Sequence, residues 1–279
     1  MTIGFIGQGY VGKNTADDFE ARGYAVVRYS LEPAYIGNKD AIRSCDVVFV
    51  AVPTPTTPNG FDASIVDEAL TLVGAGARVV IKSTLLPGTT ALLQKKYPNI
   101  LVLFSPEFLC EATAAHDAAH PLFNIMGLSE DTLVHRRAGE EVLAILPKSE
   151  RVHVMTATGA ELFKYAHNLQ GYMRVMLSNI LYDTGTTLGV PWNEVQALMD
   201  TDPMMSPYYN APIHKSGRGA GGHCFIKDMA AFARLYRELH PHDTAGASVL
   251  RALEEKNRVL LHSTEKDQDL VRGVYGDSL

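Results

Sequence analysis

No apolar run in the chain approaches the roughly 20 residues that cross a bilayer. The first residues, MTIGFIGQGY, lack a basic start followed by an apolar stretch, so no leader is read there. A protein without membrane attachment, resident in the cytoplasm, is expected. Cysteine is scarce: Cys45, Cys110 and Cys224 stand in unrelated contexts. That excludes a disulfide framework and a zinc site, and no metal is expected. An excess of basic charge is lacking too. The 25 Lys and Arg against 31 Asp and Glu leave a formal charge of -6, which argues against a nucleic-acid partner. A small acidic ligand stays compatible, because a local cluster of cations can coexist with net acidity. Internal repeats and low-complexity segments are absent as well.

What is present is ordinary in composition, 46% hydrophobic over 279 residues, and long enough for two modest domains. The first half alternates short apolar runs with helix-compatible sequence. Thr2 to Ile6, Ala25 to Tyr29, Val47 to Ala51, Arg78 to Ile81 and Leu101 to Phe104 read as strands, with a helix over Val11 to Arg22. Runs apolar at both alternating positions suit strands buried on two faces. The spacing predicts an α/β fold, a Rossmann-type doubly wound parallel sheet. A last strand-like pair near Asn124 to Gly127 and Val152 to Met155 flanks a helix over Glu130 to Leu146. Residues 1–156 are therefore assigned to a dinucleotide-binding domain.

The second half, 157–279, reads as a helical domain. Thr158 and Glu161 have capping-box spacing, and no proline interrupts the chain from there to Leu188, which predicts one long central helix. Helices over Trp192 to Met199, Lys227 to Leu239 and Ala245 to His262 follow, and the polar end is expected to fray.

Gly7-Gln8-Gly9-Tyr10-Val11-Gly12 directly follows the first strand and opens the first helix. A bare GxGxxG is weak, but this context is the one the dinucleotide fingerprint needs. The first glycine turns tightly, the second admits the pyrophosphate, the third lets helix and strand pack, and the helix N-terminus faces the phosphates. The second strand ends in Ser30 where an acidic ribose ligand is usual, with Glu32 two positions on. Arg28 and Ser30 would suit a 2′-phosphate, whereas Glu32 would suit a ribose hydroxyl. NAD and NADP both remain open at this point.

Three constellations carry chemistry. Gly217, Gly219, Gly221 and Gly222 crowd six positions ahead of Cys224, Lys227 and Asp228. Such a loop brings backbone close to something, and a helix start with nearby cations favours a thiolate. Cys45 reads as structural, and Cys110 is undecided. Lys164 and Asn168 share a helix face; they are either a solvated stripe or a buried pair able to stabilise an oxyanion. Glu107, just past a strand, is either a general base or an exposed loop acid. The strand-end turns Pro53-Thr54-Pro55-Thr56 and Lys82-Ser83-Thr84 are placed to contact cofactor.

The segments GQGYVG, VPTPT, KSTLLPGT, SPEFLCE, ELFKYAHN and GRGAGGHCFIKD occur in the order found in the UDP-glucose/GDP-mannose dehydrogenase family, along essentially the whole chain. The chain resembles that family. The resemblance favours NAD and implies oxidation of a nucleotide-sugar hydroxymethyl group to a carboxylate in two hydride transfers. On this sequence it implies that Cys224 traps the aldehyde as a thiohemiacetal and then carries a thioester. Lys164 and Asn168 would stabilise oxyanions, while Thr84, Glu107 and Asp228 would handle water and protons. Lys227 and Gly221 would meet substrate, Phe108 and Leu109 would line the sugar site, and Glu111 would lie near the nicotinamide. It further implies a homodimer through the long helix.

Two departures fall on nucleotide recognition. The family's C-terminal nucleotide-gripping domain would start about where this chain stops, and Met204 to Ser216 lacks the usual arginine-bearing stretch. A naturally shortened enzyme, one completed by a second chain, or one with a smaller or different substrate is expected. Two other readings stand beside the leading one. A two-electron β-hydroxyacid dehydrogenase would need Lys164 and Asn168 but not Cys224. A non-catalytic dinucleotide-binding partner subunit would need none of them.

Overall fold

The computed structural model describes residues 1–277. It divides into two compact units, one of Met1–Thr54 with Asp62–Lys164, the other of Pro55–Phe61 with Tyr165 onward.

The first unit is built on a seven-stranded sheet. Its strands are β1 (Thr2–Ile6), β2 (Ala25–Tyr29), β3 (Val47–Val50), β4 (Arg78–Ile81), β5 (Leu101–Phe104), β6 (Asn124–Leu128) and β7 (Val152–Thr156). They lie in the order β2-β1-β3-β4-β5-β6-β7. Helices α1 (Tyr10–Ala21), α2 (Ser64–Leu70), α3 (Thr89–Lys96), α4 (Ala114–Ala119) and α5 (Leu133–Ile145) connect them. The chain leaves β1 to one side for β2 and returns to the other side for β3. This reversal makes a switch point between β1 and β3, where open α/β sheets take ligands. The all-apolar runs are buried as their composition demands: β3 is fully buried, and Phe5 stacks on Phe49 with ring centroids 5.0 Å apart. Ile3, Phe19, Val80, Leu103 and Val142 complete this core.

One expectation of the sheet needs correction. It is not wholly parallel, because β6 runs antiparallel to β5 through Leu103–Leu128 and Phe104–Gly127, and β7 then follows β6 in parallel. Strand-like composition carries no direction, so the reversal was invisible in the sequence.

The long helix α6 (Ala157–Leu188) has the extent expected, but its start differs. The capping box of Thr158 and Glu161 does not form. Thr156 Oγ1 accepts the Gly159 N–H at 3.2 Å instead. Glu161, fully buried, crosses to the N-terminus of α3 and accepts the N–H groups of Gly88 at 2.6 Å and Thr90 at 2.8 Å, with the Thr90 hydroxyl at 2.6 Å. A tertiary cap of α3 has displaced the local one.

In the second unit α6 continues from Tyr165, with α7 (Trp192–Thr201), α8 (Gly222–Leu239), α9 (Thr244–Ser263) and α10 (Gln268–Tyr275). Tyr172, Val175 and Met176 of α6 pack with Met229 and Leu260. Ile226 and Ala230 pack with Leu261, Val271 and Val274. The polar end expected to fray is thus the helix α10, anchored by two buried valines; the last two residues, 278–279, lie outside the described range. Residues Thr56–Thr57 and Gly60–Phe61 form a small antiparallel hairpin in this unit, held by Arg234 donating to the Thr57 and Pro58 carbonyls. Among the described residues no helix is long and apolar enough to cross a membrane.

Candidate active site

The glycine turn after β1 is shaped by contacts that admit no side chain. Gly7 has φ +95, and a Cβ there would lie 2.2 Å from the Ala51 carbonyl oxygen, beyond β3. A Cβ on Gly12 would lie 2.0 Å from the Gly7 oxygen, whereas one on Gly9 would meet nothing within 4 Å. Two glycines therefore close the turn and the middle one leaves space beside the N-terminus of α1, whose cap Gly9 offers no side-chain acceptor. A helix N-terminus beside an open backbone fits a pyrophosphate. Tyr10 and Gly9 are exposed there, and Val11 is half-buried.

At the end of β2 the arrangement favours a ribose hydroxyl over a phosphate. The Arg28 guanidinium bonds Asp17 at 2.7 Å and Glu20 at 2.8 Å, so its charge is already met by two carboxylates that would repel a 2′-phosphate. Ser30 Oγ accepts the Glu32 N–H at 3.2 Å.

The turns after β3 and β4 are sewn together. Ser83 Oγ accepts the Val52 N–H at 2.9 Å and donates to the Val52 carbonyl at 2.7 Å. Thr54 Oγ1 donates to the Thr84 carbonyl at 2.8 Å. Ser83 and Thr54 are buried in this lacing, while Pro53 is exposed and Thr84 half-buried. Thr56 belongs to the hairpin of the second unit.

Past β5 the first unit gathers charge. Lys164, 4% exposed, donates to the Glu107 carbonyl at 2.6 Å and lies 3.5 Å from its carboxylate. Glu107 Oε2 accepts the Leu109 N–H at 2.8 Å, which fixes the carboxylate from its other side. The Lys164 ammonium stands 5.0 Å over the Phe108 ring, which meets Phe123 and Phe163 edge-on. Glu107 is thus no free loop acid, and Glu111 is exposed on the following turn.

Lys82, read from the sequence only as part of a strand-end turn, joins this group. Its ammonium donates to Ser105 Oγ at 3.3 Å. Burial pulls it down to about 8, helped by the like charge of Lys164 and opposed by Glu107. The signal was a lysine closing an otherwise apolar strand, Val79-Val80-Ile81-Lys82. The depressed value fixes a sign. Between about 8 and its ordinary 10.5 the unfolded chain binds the proton that the folded chain has lost, so stability rises with pH through that window. Below it both states are charged and the full penalty stands. We expect Lys82→Met to be more stable than wild type at pH 7 by about 1–3 kcal/mol, the gap closing above pH 10. Paired thermal melts across that range check it, and a destabilised variant at pH 7 would refute it.

The second unit holds the other constellation. Asn168 Nδ2 donates to Asp228 Oδ2 at 2.6 Å, and Lys227 Nζ bonds Asp228 Oδ1 at 2.6 Å. Asp228 is 1% exposed, so a buried carboxylate is met by an amide on one oxygen and an ammonium on the other. Helix α8 begins at Gly222, earlier than expected, which puts half-buried Cys224 in its first turn. Cys45 is buried with its thiol pushed up to about 11, and Cys110 is exposed.

The NAD binding domain model of the UDP-glucose/GDP-mannose dehydrogenase family matches residues 34–145, and the same family's central domain model matches 158–259. UDP-glucose 6-dehydrogenase AglM of Haloferax volcanii is 29% identical over 83% of this chain and 64% of its own length. A UDP-glucose 6-dehydrogenase of Pseudomonas aeruginosa is 30% identical over 78% of this chain and 49% of its own. The structure of a UDP-glucose dehydrogenase from Pyrobaculum islandicum superposes with a TM-score of 0.77 at 26% identity, covering 91% of this chain and 68% of that one. The chain thus spans less than two thirds of the length of these two curated relatives.

Proposed function

Because the chain belongs to the UDP-glucose/GDP-mannose dehydrogenase family, whose NAD binding and central domains it carries, we propose that it oxidises the hydroxymethyl group of a nucleotide sugar to a carboxylate through Cys224. The observation that supports this most is the buried Lys164 ammonium pinned to Glu107 beyond β5. A cation so desolvated is costly, and its retention at strand ends points to chemistry.

NAD, when bound, supplies the hydride acceptor for each two-electron step. Lys164 and Asn168 hold the substrate oxygen as negative charge develops on it. The Cys224 sulfur adds to the aldehyde carbon, forming a C–S bond while the carbonyl oxygen takes a proton. Loss of a hydride and that proton leaves a thioester. Glu107 takes a proton from water, the water oxygen adds to the thioester carbon, and the C–S bond breaks with sulfur leaving as thiolate. Asp228, oriented by Lys227, and Thr84 assist in ordering water. Lys227, Phe108, Leu109 and Gly221 contact the sugar, and Glu111 lies on the nicotinamide side. Gly7, Gly9, Tyr10, Val11, Gly12, Ser30, Pro53, Thr54, Thr56 and Ser83 form the cofactor side. Exposed Met173, Leu177, Ile180 and Leu188 on α6 support a homodimer through that helix.

The test is to offer UDP-glucose, GDP-mannose and their N-acetylated relatives with NAD and follow reduced cofactor. Two reduced cofactors per sugar consumed are expected. One per sugar would replace this reading with the two-electron dehydrogenase, and none, with cofactor still bound, would leave a binding subunit.

A further inference from the structure

The glycines ahead of Cys224 pack against polar groups of this same chain. A Cβ on Gly221 would lie 2.1 Å from Asp267 Oδ2, and one on Gly217 would lie 2.4 Å from Thr264 Oγ1. The close approach is made for hydrogen bonds. Lys266 Nζ donates to the Gly219 carbonyl at 3.0 Å and the Gly217 carbonyl at 3.3 Å. Asn257 accepts the Ala220 N–H at 2.7 Å and returns a bond to its carbonyl at 3.0 Å. Asp267 Oδ2 accepts the Gly222 N–H, the first of α8, at 2.7 Å.

These residues do nothing easier. Lys266 is 5% exposed, and burial pulls its ammonium below the ordinary lysine range, with Lys215 adding to that and Asp267 opposing it. Asp267 itself holds φ +54, a left-handed backbone that side chains other than those of Asn and Asp take reluctantly. A buried cation and an acid on left-handed backbone, both beyond the stretch 158–259, are thus engaged on the backbone of one short loop.

We propose that Asn257, Lys266 and Asp267 form a clasp that positions Cys224, fixing the loop backbone so that the first turn of α8 presents its sulfur in one orientation. They are positioning residues, since each acts through the loop. The inference rests on Cys224 being the nucleophile, and it names what holds that nucleophile still.

The experiment uses the full chain and needs neither substrate nor cofactor. Amide hydrogen exchange and iodoacetamide alkylation, both read peptide by peptide, are compared in wild type, Asp267→Ala, Asp267→Asn and Lys266→Met. In Asp267→Ala the amide of Gly222 should exchange about 10- to 100-fold faster, the equivalent of one lost charge-assisted hydrogen bond. Cys224 should then alkylate about fivefold faster or more as its turn loosens. Asp267→Asn, which keeps an acceptor and tolerates the same backbone, should restore both. Lys266→Met should loosen the stretch from Gly217 to Gly219 first. Should the alanine variant not fold, Asp267→Gly, relaxed in the left-handed region, gives the same comparison against Asn. Loop amides unchanged in the variant, acceleration spread evenly over α8, α9 and α10, or no rescue by Asn would overturn the clasp. Failure of the nucleophile reading looks different: the exchange pattern holds, yet Cys224→Ala turns over normally.

Discussion

Cys224→Ala should stop carboxylate formation, lowering it by about 10³-fold or more, as expected when a nucleophile that forms a covalent intermediate is removed. The first hydride transfer does not need sulfur, so a slow release of aldehyde should persist and be trapped by an amine or hydrazine reagent. Stability should move little, because the residue is half-buried in the first turn of α8 and outside both helical core clusters. The measurement is product analysis beside reduced-cofactor yield. Undiminished carboxylate from the alanine variant would remove sulfur from the mechanism.

Lys164→Met should produce the second large effect. Removing a single oxyanion donor costs about 10²- to 10³-fold in kcat where such groups have been removed. The same change leaves the Glu107 carbonyl without the donor now 2.6 Å away, and removes the ammonium 3.5 Å from its carboxylate. We expect about 1–3 kcal/mol of lost stability, the usual cost of leaving a buried polar group without its partner. Lys164→Arg should not restore activity, since a planar guanidinium cannot present a compact ammonium between the Glu107 carbonyl and the Phe108 ring. Steady-state kinetics with a thermal melt on each variant tests both parts. A methionine variant with full kcat and a lowered melting temperature would make Lys164 structural only.

The parts of the fold legible beforehand are those written in local pattern. The turn from Gly7 to Gly12 sits where the strand before it and the helix after it said, and the proline-free stretch to Leu188 is one helix. The parts that were not legible depend on distant partners. Glu161 looked like a local cap because spacing is local, whereas its true partners lie more than seventy residues earlier at Gly88 and Thr90. The direction of β6 leaves no trace in composition. Around the site, Glu107 and Lys164 were each singled out, but their pairing was not, since no spacing rule links a loop to a helix so far along the chain. The glycines before Cys224 announced a close approach without naming what approaches.

The crossing made by Glu161 has a mechanical consequence. It stands three residues, close to one helical turn, before Lys164, and it accepts the N–H groups of Gly88 and Thr90 at the start of α3, the helix that follows the Ser83-Thr84 turn. Three hydrogen bonds to one buried carboxylate thus tie the start of α3 to the turn of α6 that carries Lys164. Sliding α3 against α6 would have to break them.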